Sequence, residues 1–386
     1  MDAWQDGDTL DKYVLLRRLH SYRKTPAHTD VWKAVTPDDP TKFVVLKVRM
    51  PIDDAHFCEV SCHAQNEVAT LDVCRPHPNI ASYLDFFRVH PSGELVVVFP
   101  FYEHGSLEDY MNSTVLRLLR QPPTADVSNM YASGMPMQLV HRIFVQIVNA
   151  VSHMHSRGVA HRDLKLGNIC VQGPPDDVSI VIIDTEYAVP VLPPEGVSYM
   201  YTTPCGTLAY APIEIFSRDP YDPRVVDVWC IGVCMFIMMF GELPYTIDMK
   251  FPMNHFKAPV VIPEPVDSQM RDLLNKMLTI DPEDRITLDQ VRMHPAFMKL
   301  EREIEGPNSP PPNTPRSNKS SSDGLSDSCP DEISSPPPSP TVGFEDVVPV
   351  TSPRSRRSAF WSVVKRFGKK LSQRRLEFPD QSKLTN

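Results

Sequence analysis

Apolar positions follow two regimes along the chain. From about residue 11 to 100 they come in short β-branched runs. Tyr13–Leu19, Val31–Val35 and Phe43–Val48 read as strands. His63 to Val73 carries its apolar residues at helical spacing, with Ala64, Val68 and Leu71 in register. Ile80–Val89 and Leu95–Phe99 predict two further strands, joined through the turn-forming Pro91-Ser92-Gly93. From about 101 to 300 the period lengthens to that of a helix. Leu139–Met154 places Ile143, Ile147, Val148 and Val151 on one face, and Ser268–Leu278 is a second amphipathic helix. Val228–Phe240 is apolar nearly all round, which predicts burial. Residues 121–138, rich in Pro, Ser and Gly, predict a surface insertion. After Leu300 the periodicity is lost. Residues 301–355 are dominated by Pro, Ser, Thr and Asp and predict a disordered linker. A pattern returns over 356–376, and no internal repeat is evident.

Composition bounds this picture. A chain of 386 residues with 41% hydrophobic content holds a sizeable core and two or three structural units. Many of its 40 prolines cluster beyond residue 305. A net charge of −9 argues against a general nucleic-acid binder. Met1 to Asp11 is polar and acidic rather than a signal sequence. The Val228–Phe240 run is about half a transmembrane span. Eight cysteines without disulfide-like spacing predict reduced thiols, hence a cytoplasmic or nuclear protein. His56, Cys58, Cys62, His63 and Cys74 fit no common zinc-finger spacing.

The densest chemistry lies in His161-Arg162-Asp163-Leu164-Lys165-Leu166-Gly167-Asn168, followed by the apolar Ile169-Cys170-Val171. A carboxylate, an ammonium two residues on and an amide oxygen are the groups phosphoryl transfer needs together. The first takes a hydroxyl proton, the second offsets charge on the moving phosphoryl, and the third holds a metal ion. The segment resembles the catalytic loop of eukaryotic protein kinases of the serine/threonine type, and the likeness extends over residues 11–298.

That resemblance implies an α+β, bilobal fold: a small β-rich N-lobe over 11–100, a larger helical C-lobe over 101–300, and a disordered C-terminal tail. It implies ATP and Mg²⁺ as cofactors, with Mn²⁺ as the alternative ion. It assigns Asp163 as base, Lys165 as charge stabiliser, and Asn168 and Asp184 as metal ligands. Lys47 is the implied phosphate-binding lysine and Glu67 its helical partner. Val97–Leu107 resembles the interlobe hinge, with Phe99 as gatekeeper. The Pro100 carbonyl and the Tyr102 amide are the implied adenine contacts, and Val31, Val45 and Cys170 the implied adenine sandwich. Glu214 and Arg285 match a buried pair that locks the lower lobe. Asp227 matches the aspartate that braces the catalytic loop. Thr203 occupies a position that often carries an activating phosphate, with Arg162 as its cation. The other reading of Thr203 is a plain polar loop residue.

Two departures stand out. Leu19 to Val31 contains no glycine where the family expects a glycine-rich phosphate loop, and is about four residues longer than that pattern. Arg23, Lys24 and His28 offer side-chain charge in its place, while Pro26 removes an amide donor. The family's Asp-Phe-Gly is Asp184-Thr185-Glu186. Glu186 adds a carboxylate that repels nucleotide, points away, or ligates a cation. The expected function is an ATP-dependent protein serine/threonine kinase, of low activity if these changes tell. The alternative is a pseudokinase acting as a nucleotide-binding or regulatory module.

In the tail, basic residues from Arg354 to Arg375 are interrupted by no acid. On a helix, Phe360, Val364, Phe367 and Leu371 share one face and Lys365, Arg366 and Lys369 lie opposite. That pattern suits an anionic membrane surface, a calmodulin-like groove or an intramolecular docking site. The implied substrate is a protein hydroxyl; no nucleic-acid partner is expected.

Overall fold

The computed structural model describes residues 4–24, 27–36, 38–51, 57–90, 92–119, 135–174, 177–191, 199–217, 219–246, 256, 258–305 and 347–349. It has two lobes. The upper lobe is one antiparallel sheet with a helix. The strands are β1 (Thr9–Leu10), β2 (Tyr13–Lys24), β3 (Ala27–Thr36), β4 (Asp39–Pro51), β5 (Asp85–Arg88) and β6 (Leu95–Pro100), in the order β1-β2-β3-β4-β6-β5. Helix α1 (Phe57–Cys74) follows β4. Strand alternation sorts β4 into two faces. Val44, Leu46 and Val48 enter a core with Leu15, Trp32, Ala34, Val96 and Val98. Val45, Lys47 and Arg49 take the other face, toward the cleft and α1.

Two expectations for this lobe are corrected. Leu19 to Val31, longer than the family pattern, is not an open loop: β2 and β3 stay paired out to Lys24 opposite Ala27. Residues such as Tyr22, Thr29 and Val31 favour extended backbone, and the pairing runs without a register shift from His20 opposite Val31 to Lys24 opposite Ala27, so the extra length extends the hairpin. The expected strand from Ile80 begins only at Asp85. Ile80 instead bridges Ile182 of the lower lobe, and the Ala81 N–H donates to the Ile182 carbonyl at 2.9 Å. That stretch joins the lobes.

The lower lobe contains α2 (Leu107–Leu119), α3 (Met137–Ser156), α4 (Glu214–Ser217), α5 (Pro223–Phe240), α6 (Ser268–Met277), α7 (Leu288–Arg292) and α8 (Pro295–Glu305). Its short strands are β7 (Val159–Ala160), β8 (Ile169–Gln172), β9 (Ser179–Ile182), β10 (Val189–Pro190), β11 (Tyr199–Tyr201) and β12 (Val347–Pro349). The hub is α5. Asp222 caps it by accepting the Arg224 N–H at 2.9 Å, Pro223 opens it, and Gly241 at φ 76° ends it. By length and composition α5 could cross a membrane, yet most of it is buried in the lobe's core.

Two further boundaries move, one at the insertion and one at the tail. Met137 and Gln138, expected in the insertion, form the first turn of α3; residues 120–134 lie outside the described residues. Residues 301–305, expected in the linker, complete α8, where Glu301 is buried and accepts from Asn149. Within the rest of the expected linker, Val347–Pro349 pairs antiparallel with β11. The basic segment 356–376 lies outside the described residues.

Candidate active site

A cleft of about 860 Å³ separates the lobes, within the range of small-molecule sites. Val31 and Val45 reach it from the sheet and Cys170 from β8, with Phe99, Pro100 and Tyr102 along its hinge side. Burial pushes the Cys170 thiol up to about 12, so this wall is neutral and apolar. Lys47, Glu67, Asp163, Lys165, Asn168 and Asp184 line the same cleft. The residues singled out in the sequence for nucleotide, metal and proton chemistry are thus brought together. Leu19, His20, Ser21 and Tyr22 of the hairpin also line it, standing where a glycine-rich loop was missing.

The polar end of the cleft is a charge cluster. Lys47 Nζ lies 3.2 Å from Glu67 Oε1 and makes a close contact with Asp184 Oδ1. Burial and the neighbouring Arg49 press the Lys47 ammonium down. Asp184, Glu67 and Glu186 outweigh them and hold it above the ordinary lysine value. For Asp184, burial pushes up, but Lys47, Arg49 and His161 keep its carboxyl well below the usual range. Glu186 does not stand loose beside it: its Oε2 is 3.2 Å from Arg49 Nη2 and 3.9 Å from Lys47 Nζ. Thr185, in the phenylalanine position, is fully buried and donates to the Glu67 carbonyl at 3.3 Å.

The 161–168 loop is held from three sides. The Asp227 carboxylate, wholly buried, accepts the His161 N–H at 2.9 Å and the Arg162 N–H at 2.8 Å. His161 Nδ1 accepts the Asp163 N–H at 3.3 Å, which leaves Nε2 as the donor to the Ile183 carbonyl, 3.2 Å away, just before Asp184. Asp163 itself accepts from Lys165 Nζ at 2.9 Å, from Thr207 Oγ1 at 2.7 Å and from Asn168 Nδ2 at 3.2 Å. Arg162 at φ 67° and Asp184 at φ 63° occupy the left-handed region, which costs about 1–3 kcal/mol each and persists because the surrounding bonds over-determine it. Gly206, at φ +87°, passes so close that a Cβ there would sit 2.7 Å from the Arg162 carbonyl.

Glu214, Arg285, Asp227, Thr203 and Arg162 fall outside the cleft lining. Arg285 forms a bidentate pair with Glu214, at 2.5 and 3.2 Å, and stacks 4.9 Å over the Trp229 ring. Thr203 and Arg162 do not meet. The Arg162 guanidinium donates to the Tyr187 carbonyl and the Tyr221 hydroxyl and lies 5.2 Å over the Tyr201 ring. The Thr203 hydroxyl is buried without a hydrogen-bond partner.

Three residues escaped the sequence reading. Arg49 had a signal, since it lies two positions after Lys47 and so shares its face of the strand. Thr207 grips Asp163, and Asn66 donates to the Glu186 and Ala188 carbonyls at 3.2 and 3.0 Å. Neither has a local signature.

This arrangement has recognisable relatives. CBL-interacting serine/threonine-protein kinase 16 of Arabidopsis thaliana is 28% identical over 234 residues, 52% of this chain and 49% of that protein. Serine/threonine-protein kinase PLK4 of Nematostella vectensis is 37% identical over 158 residues, 40% of this chain and 15% of that protein. The SNF-related serine/threonine-protein kinase of Homo sapiens is 27% identical over 238 residues, 60% of this chain and 27% of that protein. The chain therefore spans half or less of the length of these curated relatives. The family described as Protein kinase domain matches residues 28–297, more than half of the chain, and that stretch holds the charge cluster, the 161–168 loop and the cleft lining other than its Arg17–Tyr22 part. The chain belongs to the protein kinase domain family.

Proposed function

We propose that the chain transfers the γ-phosphate of Mg·ATP to a serine or threonine hydroxyl of a protein. The observation that carries this reading is the convergence of Asp163, Lys165 and Asn168 with Lys47 and Asp184 on one cleft. Asp163 is the base: its carboxylate is fixed by Lys165, Thr207 and Asn168 and faces the cleft, so it orients an incoming hydroxyl and takes its proton. Lys165 sits beside it as the cation for the transferred phosphoryl. Lys47, anchored by Glu67, presents its ammonium to the nucleotide phosphates. The Pro100 carbonyl and Tyr102 amide are the proposed adenine contacts, between Val31, Val45 and Cys170.

Asn168 and Asp184 fit a divalent cation. The Asn168 amide nitrogen is committed to the Asp163 carbonyl at 2.9 Å, so its oxygen is the free ligand atom, and Asp184 supplies a second hard oxygen donor. A bound Mg²⁺ would neutralise charge on the phosphate oxygens. Ser21 and Tyr22 of the β2–β3 hairpin cover this end of the cleft in place of backbone amides, so turnover is slower than in a site with a glycine cradle.

The deciding experiment is transfer from labelled ATP by the purified full chain, with Mg²⁺ or Mn²⁺, beside Asp163→Asn. Loss of a general base costs about 10²–10⁴-fold, so incorporation should all but vanish in the variant. Equal incorporation in both would overturn the assignment. The absence of glycine in the hairpin supports a second reading, a nucleotide-binding regulatory module. It predicts that ATP raises the melting temperature without a dependence on metal, and that no transfer occurs.

A further inference from the structure

Arg49 and Glu186 are the residues that the family pattern leaves unexplained, and they meet. Arg49 is 2% exposed and projects from the same face of β4 as Lys47. Its Nη2 is 2.6 Å from Glu67 Oε2 and 3.2 Å from Glu186 Oε2. Glu67 is therefore shared between two cations, and the nearer of them is Arg49 rather than Lys47, whose contacts with it are 3.2 and 3.4 Å. Around this bridge, α1 and the 185–188 segment are tied by further polar bonds. Thr185 donates to the Glu67 carbonyl, and Asn66 donates to the Glu186 and Ala188 carbonyls.

Arg49 is a poor choice for stability alone. Its Nη1 is buried with no hydrogen-bond partner, and an incompletely satisfied buried cation opposes folding where an apolar side chain of similar volume would not. Without Arg49, Glu186 would compete with Asp184 and Glu67 for the Lys47 ammonium, 3.9 Å from its Oε2. Together the two cancel each other's charge, and the bridge fixes Glu67 at the distance from which it anchors Lys47.

We propose that Arg49 and Glu186 are positioning residues: an ionic latch that holds α1 and the segment following Asp184 in the arrangement the site needs, in place of a packed aromatic side chain. The latch makes Glu186 a requirement of this site rather than an obstacle to nucleotide. This rests on the kinase reading above, so the test includes a measurement that does not need turnover.

The experiment is a double-mutant cycle in the full chain with Arg49→Met, Glu186→Gln and the pair, together with Arg49→Lys and Glu186→Gly. Three quantities are read: kcat and KM for ATP, affinity for a fluorescent ADP analogue, and melting temperature. Misplacing reacting groups by about 1 Å costs on the order of 10²-fold. The single variants should therefore lose kcat/KM on that scale and weaken ADP binding. Arg49→Lys, which keeps the charge, should recover most of the loss. The double variant should lose less than the product of the two single losses, because each partner's charge is then removed with the other. Glu186→Gly, although closer to the family pattern, should also lose activity. Independent losses, or an unchanged or raised kcat/KM in Glu186→Gly, would overturn the latch. Should wild type show no transfer sensitive to Asp163→Asn, the kinase reading fails by itself. The cycle is then decided by ADP affinity, where additive effects would refute the latch and coupled effects would uphold it.

Discussion

At the scale of single residues, the wall of the cleft is chemically quieter than its cysteine suggests. Burial raises the Cys170 thiol to about 12. With the folded value above the ordinary cysteine range, the thiolate forms only as pH rises toward it; at pH 7.5 the ionised fraction is on the order of 10⁻⁴ to 10⁻⁵. Alkylation by iodoacetamide at pH 7.5, followed by mass spectrometry, should label Cys170 at least about 100-fold more slowly than a free model thiol. Labelling at the model rate would show that the wall is open and wet. The contrast between Cys170 and Arg49 also shows which residues could be read in advance. Asp163, Lys165 and Asn168 lie within six positions of one another, so a local pattern carries their joint chemistry. Arg49 acts through Glu67 and Glu186, the second of them 137 positions away. Only strand alternation beside Lys47 hinted at it, and nothing in the sequence named its partner.

At the scale of elements, most helices and strands were legible because their periodicity matches the faces they bury. The misread elements are those whose role is set by a distant partner. Ile80 has the character of a strand residue but is claimed by Ile182, and the hairpin tip lacks the glycines that would have marked it as a phosphate loop. The buried pair of Glu214 in α4 and Arg285 before α7 is an element-level brace. Arg285 also donates to the carbonyls of Thr279, Val225 and Ile280, so it ties α4, α5 and the end of α6 together. Glu214→Ala would leave that guanidinium buried among carbonyls without its counter-charge. Removing one partner of such a pair typically costs about 3–5 kcal/mol. Chemical denaturation should show a loss of that size, with the midpoint shifted and the slope unchanged. A loss below about 1 kcal/mol would mean that water reaches the pair and that it behaves as a surface bridge.

At the scale of the whole molecule, the sequence divides cleanly into two lobes and a tail, yet the tail returns to the lower lobe. Strand β12 pairs with β11, Val348 opposite Met200, on a strand whose Tyr201 also exchanges backbone hydrogen bonds with Tyr221 at 2.9 and 2.8 Å. Composition could not foretell this contact, because a three-residue strand in a Pro- and Ser-rich segment has no period to detect. It matters because Tyr201 stacks on Arg162, the neighbour of Asp163. Hydrogen–deuterium exchange tests the anchor. Val348→Pro in the full chain removes an amide donor and disfavours the paired conformation. Exchange over Tyr199–Tyr201 should accelerate to the rate of a chain ending at Glu305, while α5 stays protected as part of the core. Identical exchange in wild type, Val348→Pro and the shortened chain would show that the strand is not docked in solution.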